Sequence, residues 1–506
     1  MMKPGKILLF FLLTGAFLLP AVLFIPKGGI DLWGFKLKML SINDMLGRDT
    51  VKYADISNIV DVQANPDSLP DVLDMTPSNV DTLDGGEQDS VGTAITAEEL
   101  AAAVQPLDYN EEGKANLQAF FALLRGAKYK KNQIRIMHYG DSQIERGRIT
   151  SFIRHKLQQR FGGRGPGLMP AIQPYGEHYS VTQSNTGNWQ RFTTFTKPDT
   201  LVKHKRYGML ASFSRFAPLA NDSLPPNDSI VYKASVSLSK ARYGYPEVRK
   251  FRRVSLYYGN ARTKTRIEVI SDSLTLAVDS LAAGTKYHKF TYTFPQYSDN
   301  VTLRFSGYDS PDIYAIDLSD THGVDIDNIG LRGSPGTFFT RIDYAQLAGM
   351  YKDLNVKMFI LQFGGNVMPY THDTLTVERY TRWFYAQLMR LKKMVPEVSI
   401  VVIGPSDMSY KSGEKFITYD YLPLLVDKMR EVTLKAGFCY WDMYAAMGGH
   451  NSMPSWVNAD PPLASPDYAH FTVKGSKLIA NMFYNALMLE LVGKKFEKAK
   501  EKPKRQ

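Results

Sequence analysis

Ile134-Arg135-Ile136-Met137-His138-Tyr139-Gly140-Asp141-Ser142-Gln143 is the stretch whose reading decides the fold. A short apolar-rich run ends abruptly in Gly-Asp-Ser. Beyond it Ile149, Phe152, Ile153, Leu157 and Phe161 recur at three- and four-residue spacing. That pattern is a strand, a tight turn and an amphipathic helix. A serine at such a turn presents its backbone N–H at a helix N-terminus, where negative charge developing on a substrate oxygen is stabilised. The glycine-rich segment Gly162–Gly167 comes next. Its Gly163-x-Gly165-x-Gly167 spacing is no dinucleotide fingerprint, because it follows a helix rather than a strand.

Toward the C-terminus the texture changes twice. Residues 200–329 carry short alternating runs (Tyr232–Leu238, Val254–Tyr258, Ile267–Ile270, Tyr287–Phe294, Val301–Phe305, Ile313–Leu318) separated by polar turns. They predict an antiparallel β-sandwich. After Gly333, helical patterns (Tyr344–Leu354, Val377–Met394, Tyr421–Ala436, Val473–Leu491) alternate with strand patterns (Lys357–Phe363, Val398–Ile403, Gly437–Trp441). Alternation of this kind implies a parallel sheet with helices on both faces. The fold class is therefore α/β: 113–199 forms the first part of the domain, 200–329 an inserted sandwich and 330–492 the second part.

Toward the N-terminus, Lys3 and Lys6 precede an uncharged apolar run, Ile7–Pro26, closed by Lys27. Twenty helical residues span about 30 Å, a bilayer core. Lysines ahead of the run keep its start cytoplasmic and send the remainder out. Residues 1–30 are thus expected to be a single-pass anchor in the cytoplasmic membrane with an exported, periplasmic body. A cleaved signal peptide releasing the body to the periplasm is the alternative. Residues 49–112 hold fifteen acidic residues and one basic, a charge of −14. The whole of 31–112 reads as an acidic, largely disordered linker, and folded structure should begin near Asn116. The tail 493–506 is basic. The chain carries +11 overall, leaving +16 on residues 113–492. A basic body favours anionic partners such as cell-wall polymer, acidic polysaccharide or phospholipid headgroups. Its 506 residues, 44% hydrophobic and 22% charged, exclude wholesale disorder and a multi-span membrane protein. The single cysteine, Cys439, excludes an intramolecular disulfide and a cysteine zinc site.

Ligands and catalysts in open α/β sheets sit at the carboxyl ends of the strands. Three loops there are chemically loaded: Gly140-Asp141-Ser142, Gly364-Gly365-Asn366, and Asp467-Tyr468-Ala469-His470 before the last helix. A histidine takes a serine proton and a carboxylate holds that histidine's tautomer. Asp467 and His470, three apart, supply both, and Asn366 offers its amide to an oxyanion.

In these blocks the sequence resembles the SGNH (GDSL-type) hydrolase superfamily, over about 130–170 and 325–490. The resemblance implies a serine hydrolase with Ser142 as nucleophile, His470 as base and Asp467 orienting it. It also implies an oxyanion glycine between the first two blocks. Asn328-Ile329-Gly330-Leu331-Arg332-Gly333 lies in that place, and Gly333 is the better candidate. Ser142, Gly333 and Asn366 would then share the oxyanion. Gln143 departs from the leucine that usually follows the serine. With its insert, and with Gly162–Pro170 after the first helix, the layout resembles the peptidoglycan O-acetylesterases and the alginate-type O-acetyltransferases. In the esterases the insert is similar to a carbohydrate-binding module. The implied activity is removal of O-acetyl groups from a cell-envelope glycan, peptidoglycan or polysaccharide. Alternatives are an O-acetyltransferase fed by a membrane-bound acetyl-donor protein, and an inactive glycan-binding wall protein. No cofactor, metal or nucleic-acid partner is expected.

The remaining signals are lesser. Asp325-x-Asp327 reads as a solvated turn or, less simply, a calcium site. Trp383 and Trp441 read as core, and Trp456, in the loop before Asp467, as a substrate contact. Basic residues of the insert, Arg249 to Arg266, read equally as a glycan grip or a solvent face.

Overall fold

The computed structural model describes residues 51–61, 104–129, 133–197, 199–219 and 227–500, with short pieces of the first 37 and no side chains beyond residue 492. The chain divides into two units at Tyr53 and Ala54. In the first, Ile30–Leu32 pairs antiparallel with Phe35–Leu37. Among the described residues no helix is long and apolar enough to cross a membrane. Most of the run Ile7–Pro26, and nearly all of the acidic stretch 62–104, lie outside the described residues.

The second unit is built on a six-stranded sheet. Its strands are β1 (Leu107–Asp108), β2 (Ile134–Gly140), β3 (Val324–Gly330), β4 (Val356–Gln362), β5 (Ser399–Ile403) and β6 (Cys439–Trp441). Their order is β3-β2-β4-β5-β6-β1, parallel except for the antiparallel edge strand β1. All seven residues of β2 are buried. Successive side chains point to opposite faces, so Ile134 and Ile136 enter one core and Met137 and Tyr139 the other. The first core is closed by α1 (Glu111–Arg125), α2 (Thr150–Phe161) and α6 (Val473–Lys500). The second is closed by α3 (Tyr344–Asp353), α4 (Thr374–Met394) and α5 (Leu422–Lys435). This is the helix-covered parallel sheet that the alternating pattern implies.

Folded structure begins before Asn116. The Asn110 side chain caps α1, accepting from Gly113 N–H at 2.9 Å, and β1 lies ahead of it. Part of the expected acidic linker is also folded. Ser57–Asp61 is a helical turn, Ile56 and Ile59 are buried in the first core, and Ser455 Oγ donates to Ala54 O at 2.6 Å. At the other end, the expected basic tail continues α6 as far as Lys500.

Between α2 and β3 the chain leaves to form two antiparallel sheets. One contains 181–185, 232–240, 265–271, 274–281 and 300–307; the other contains 190–193, 212–215, 251–261, 284–298 and 312–319, with 167–169 paired to the last. Val236, Leu256, Ile267, Leu303 and Ile316 pack between them. The insert therefore begins at Gly167, not 200, and ends at Ser319, because Val324–Gly330 is β3 of the parallel sheet. Strand Asp312–Ser319 is buried along its whole length. Ile313 and Ile316 face the sandwich core, and Tyr314 and Ala315 join the core of the α/β layer.

Asp325 and Asp327 are neither a solvated turn nor free to bind calcium. Both are fully buried and, with Asp317 of the sandwich, surround the Arg135 guanidinium at 2.8–3.0 Å. A second buried guanidinium, that of Arg154, donates to Ile326 O at 2.6 Å.

Candidate active site

Gly140 ends β2 where a side chain has no room: a Cβ would lie 2.9 Å from Ile144 and 3.0 Å from Gln362 O. The chain turns sharply there. Asp141 Oδ1 accepts from Gln143 N–H (2.9 Å), and Arg148 donates to Ser142 O (2.7 Å), which fixes the serine at the carboxyl edge of the sheet. Gln143, where a leucine was expected, donates its amide to Ala469 O at 2.6 Å. It thereby ties the serine turn to the loop that carries His470.

That loop is held independently. Tyr468 stacks on Phe416 at 3.6 Å between ring centroids, and Ser465 N–H donates to His470 O at 2.7 Å. Asp467 Oδ1 accepts from the N–H groups of Ala469 and His470, both at 3.0 Å. Its Oδ2 lies 2.7 Å from His470 Nδ1, and His470 Nε2 lies 2.8 Å from Ser142 Oγ. A carboxylate accepts only, so Nδ1 carries the hydrogen and Nε2 is left to receive the serine proton. Burial alone would raise Asp467. The His470 backbone and ring and the Ala469 N–H outweigh it and hold the carboxyl below its ordinary range.

Asn366 lies in the 3₁₀ turn Gly365–Tyr370 after β4. Its Nδ2 donates to Asp141 Oδ2 at 2.9 Å and approaches Ser334 O at 3.4 Å. Asp141 is buried, and burial pushes its carboxyl up to about 6 against the hydrogen bonds from Gln143 and Asn366. Leu331 N–H donates to Gly140 O (2.8 Å), so the Leu331–Ser334 turn runs alongside the serine turn. Gly333 is the third residue of that turn, at φ +75°, a position that asks for glycine. The N–H groups of Ser142 and Gly333 have no protein partner among the described residues. A cavity of about 70 Å³ opens on this group, walled by Phe363, Pro405, Met408 and Met443 beside Ser142, Asn366 and His470.

The structure thus brings Ser142, His470, Asp467 and Asn366 together, with Gly333 in the adjoining turn. Trp456 is not among them. It is wholly buried, donates Nε1–H to Met447 O (2.8 Å) and packs on Phe471, so it braces the loop from inside. Trp383, expected in the core, is 56% exposed on α4, whereas Trp441 is core as expected. The roles of Asp141, Gln143 and Arg148 were not read from the sequence; the Gly-Asp-Ser-Gln stretch signalled the first two, and nothing signalled Arg148.

The structure resembles that of a peptidoglycan O-acetylesterase, with a TM-score of 0.58 and 17% identity over 76% of this chain and 98% of the other. The chain therefore has the fold of the SGNH hydrolases with an inserted sandwich. Likenesses at lower TM-scores include an acetylxylan esterase from Geobacillus stearothermophilus (TM-score 0.25, 13% identity, 33% and 73% covered). Another is a salicylyl-acyltransferase from a tetracycline biosynthetic pathway (0.24, 10%, 64% and 99%). No family model matches the sequence, and no curated protein matches it.

Proposed function

We propose that this chain is a serine esterase that removes O-acetyl groups from a cell-envelope glycan. The observation that carries the reading is the unbroken line Ser142–His470–Asp467, 2.8 and 2.7 Å, opening on a cavity of about 70 Å³. Ser142 Oγ attacks the acetyl carbonyl while His470 Nε2 takes its proton. Ser142 N–H, Gly333 N–H and the Asn366 amide receive the oxyanion. Collapse breaks the bond to the sugar oxygen, which leaves with the proton from His470. Water, deprotonated by His470, then releases acetate from acetyl-Ser142.

If a sugar hydroxyl replaces that water, the same groups make an acetyltransferase. The lysine-flanked run Ile7–Pro26 supports this second reading, because an anchor in the cytoplasmic membrane would place the exported body beside a membrane-bound acetyl donor. Acetate release from O-acetylated peptidoglycan, set against acetyl transfer to an oligosaccharide, tests both. Free acetate as the main product is expected; transfer without acetate would favour the second, and neither product would contradict both.

A further inference from the structure

The 331–334 turn, which carries Gly333, has little packing at its tip. Leu331 and Ser334 are buried, but Arg332 and Gly333 between them are exposed. A Cβ at Gly333 would meet nothing within 4 Å. Ser334 N–H donates to Leu331 O at 2.9 Å, which closes the turn without fixing where its tip lies. The place of the tip beside Ser142 therefore depends on bonds to the serine turn. Leu331 N–H to Gly140 O secures one end, and at the other Asn366 Nδ2 reaches Ser334 O only at 3.4 Å.

One strong contact holds the tip itself. Arg332 donates Nε–H to Glu145 Oε2 at 2.7 Å and an Nη2–H to Glu145 Oε1. Such a fork fixes direction as well as distance. Glu145 follows Ser142 by three, gives its N–H to Ser142 O at 3.3 Å and is 3% exposed. Among the described residues no other cation pairs with its carboxylate. The two backbones nearly touch there, because a Cβ on Gly330 would lie 3.1 Å from Glu145 Cα. The Arg332 side chain is 58% exposed, and its guanidinium lies over the Tyr175 ring at 4.5 Å.

We propose that Glu145 and Arg332 are positioning residues that clamp the glycine turn to the serine turn, so that the N–H groups of Gly333 and Ser142 keep a fixed separation around one substrate oxygen. The inference rests on the esterase reading, in which both groups receive the oxyanion, and adds the device that sets their spacing. Glu145 is buried beneath the turn and acts only through Arg332.

The test uses the full chain, 4-nitrophenyl acetate, and the variants Glu145→Gln, Arg332→Gln and both together. Each single change should lower kcat by between about tenfold and 10²-fold, the order that a small misplacement costs, with KM nearly unchanged. The double variant should be no slower than either single one, since both remove the same contact. Arg332→Lys keeps the charge but not the fork, and should not restore the rate. Hydrogen exchange followed by mass spectrometry gives a second readout: the amides of Leu331 and Ser334 should exchange faster in each variant, and those of β2 as in wild type. Arg332 is exposed, so its variants carry the test if Glu145→Gln fails to fold. Wild-type kcat in a single variant, additive losses, or full rescue by Lys would each overturn the proposal, the last because charge alone would then suffice. Absence of turnover in the wild-type chain would contradict the esterase reading instead. The clamp is then judged by exchange, where unchanged protection in Arg332→Gln overturns it.

Discussion

Asp141 lies inside the protein with one carboxylate oxygen on Gln143 N–H and the other on the Asn366 amide. Its carboxyl sits near 6, raised by burial. Above that pH it is ionised and accepts both bonds. Below it the group gains a proton and loses acceptor capacity toward Asn366. Turnover should therefore lose a contribution on acidification through about pH 6. Carbon-13 NMR of labelled aspartate should show two carboxyls titrating there, Asp141 and Asp407, which burial also pushes up to about 6, and an Asp141→Asn chain should lack one of the two signals. Asp141→Asn should also lower kcat, on the order of tenfold, by releasing a charge-assisted hydrogen bond. Asn366→Ala should lower it by about 10²–10³ if the amide meets the oxyanion. The residue types at the site were legible because each stands in a distinctive block, at a strand end or just before the last helix. Trp456 and Trp383 were misjudged for a common reason: sequence places an indole in a loop or on a helix, but not on its inner or outer side.

Strands and loops were legible in proportion to their length. The seven residues of β2 form an apolar-rich run buried throughout, and the 21 of α4 repeat at helical spacing. The insert's opening strands show neither. Gly167–Met169 has three residues and Val181–Asn185 is mostly polar, so the boundary was placed more than thirty residues late. β1 has two residues and leaves no pattern at all. Between elements, the bond from Gln143 to Ala469 O couples the serine turn to the histidine loop. Gln143→Ala should leave thermal unfolding nearly unchanged and still slow turnover severalfold, since a neutral hydrogen bond is worth about 1 kcal/mol. Steady-state kinetics beside a melting curve measures both, and wild-type kinetics in that variant would mean the two loops are positioned separately.

At the scale of the α/β layer and its sandwich, Arg135 of β2 bonds Asp317 of the insert and Asp325 and Asp327 of β3. Removing one partner of a buried ion cluster leaves the others uncompensated, at a cost of about 3–5 kcal/mol. Arg135→Met should lower stability by that order in chemical denaturation, and a loss under about 1 kcal/mol would show that the cluster adds little. In the proposed reaction a carbohydrate-type acetyl ester passes its acyl group to Ser142. The most direct measurement is peptide mass mapping of the full chain, acid-quenched during turnover of 4-nitrophenyl acetate, alongside Ser142→Ala. Acetyl is expected on the peptide containing Ser142, with no turnover above background in the variant. Wild-type rates in Ser142→Ala, or an acetyl group trapped on another side chain, would contradict it.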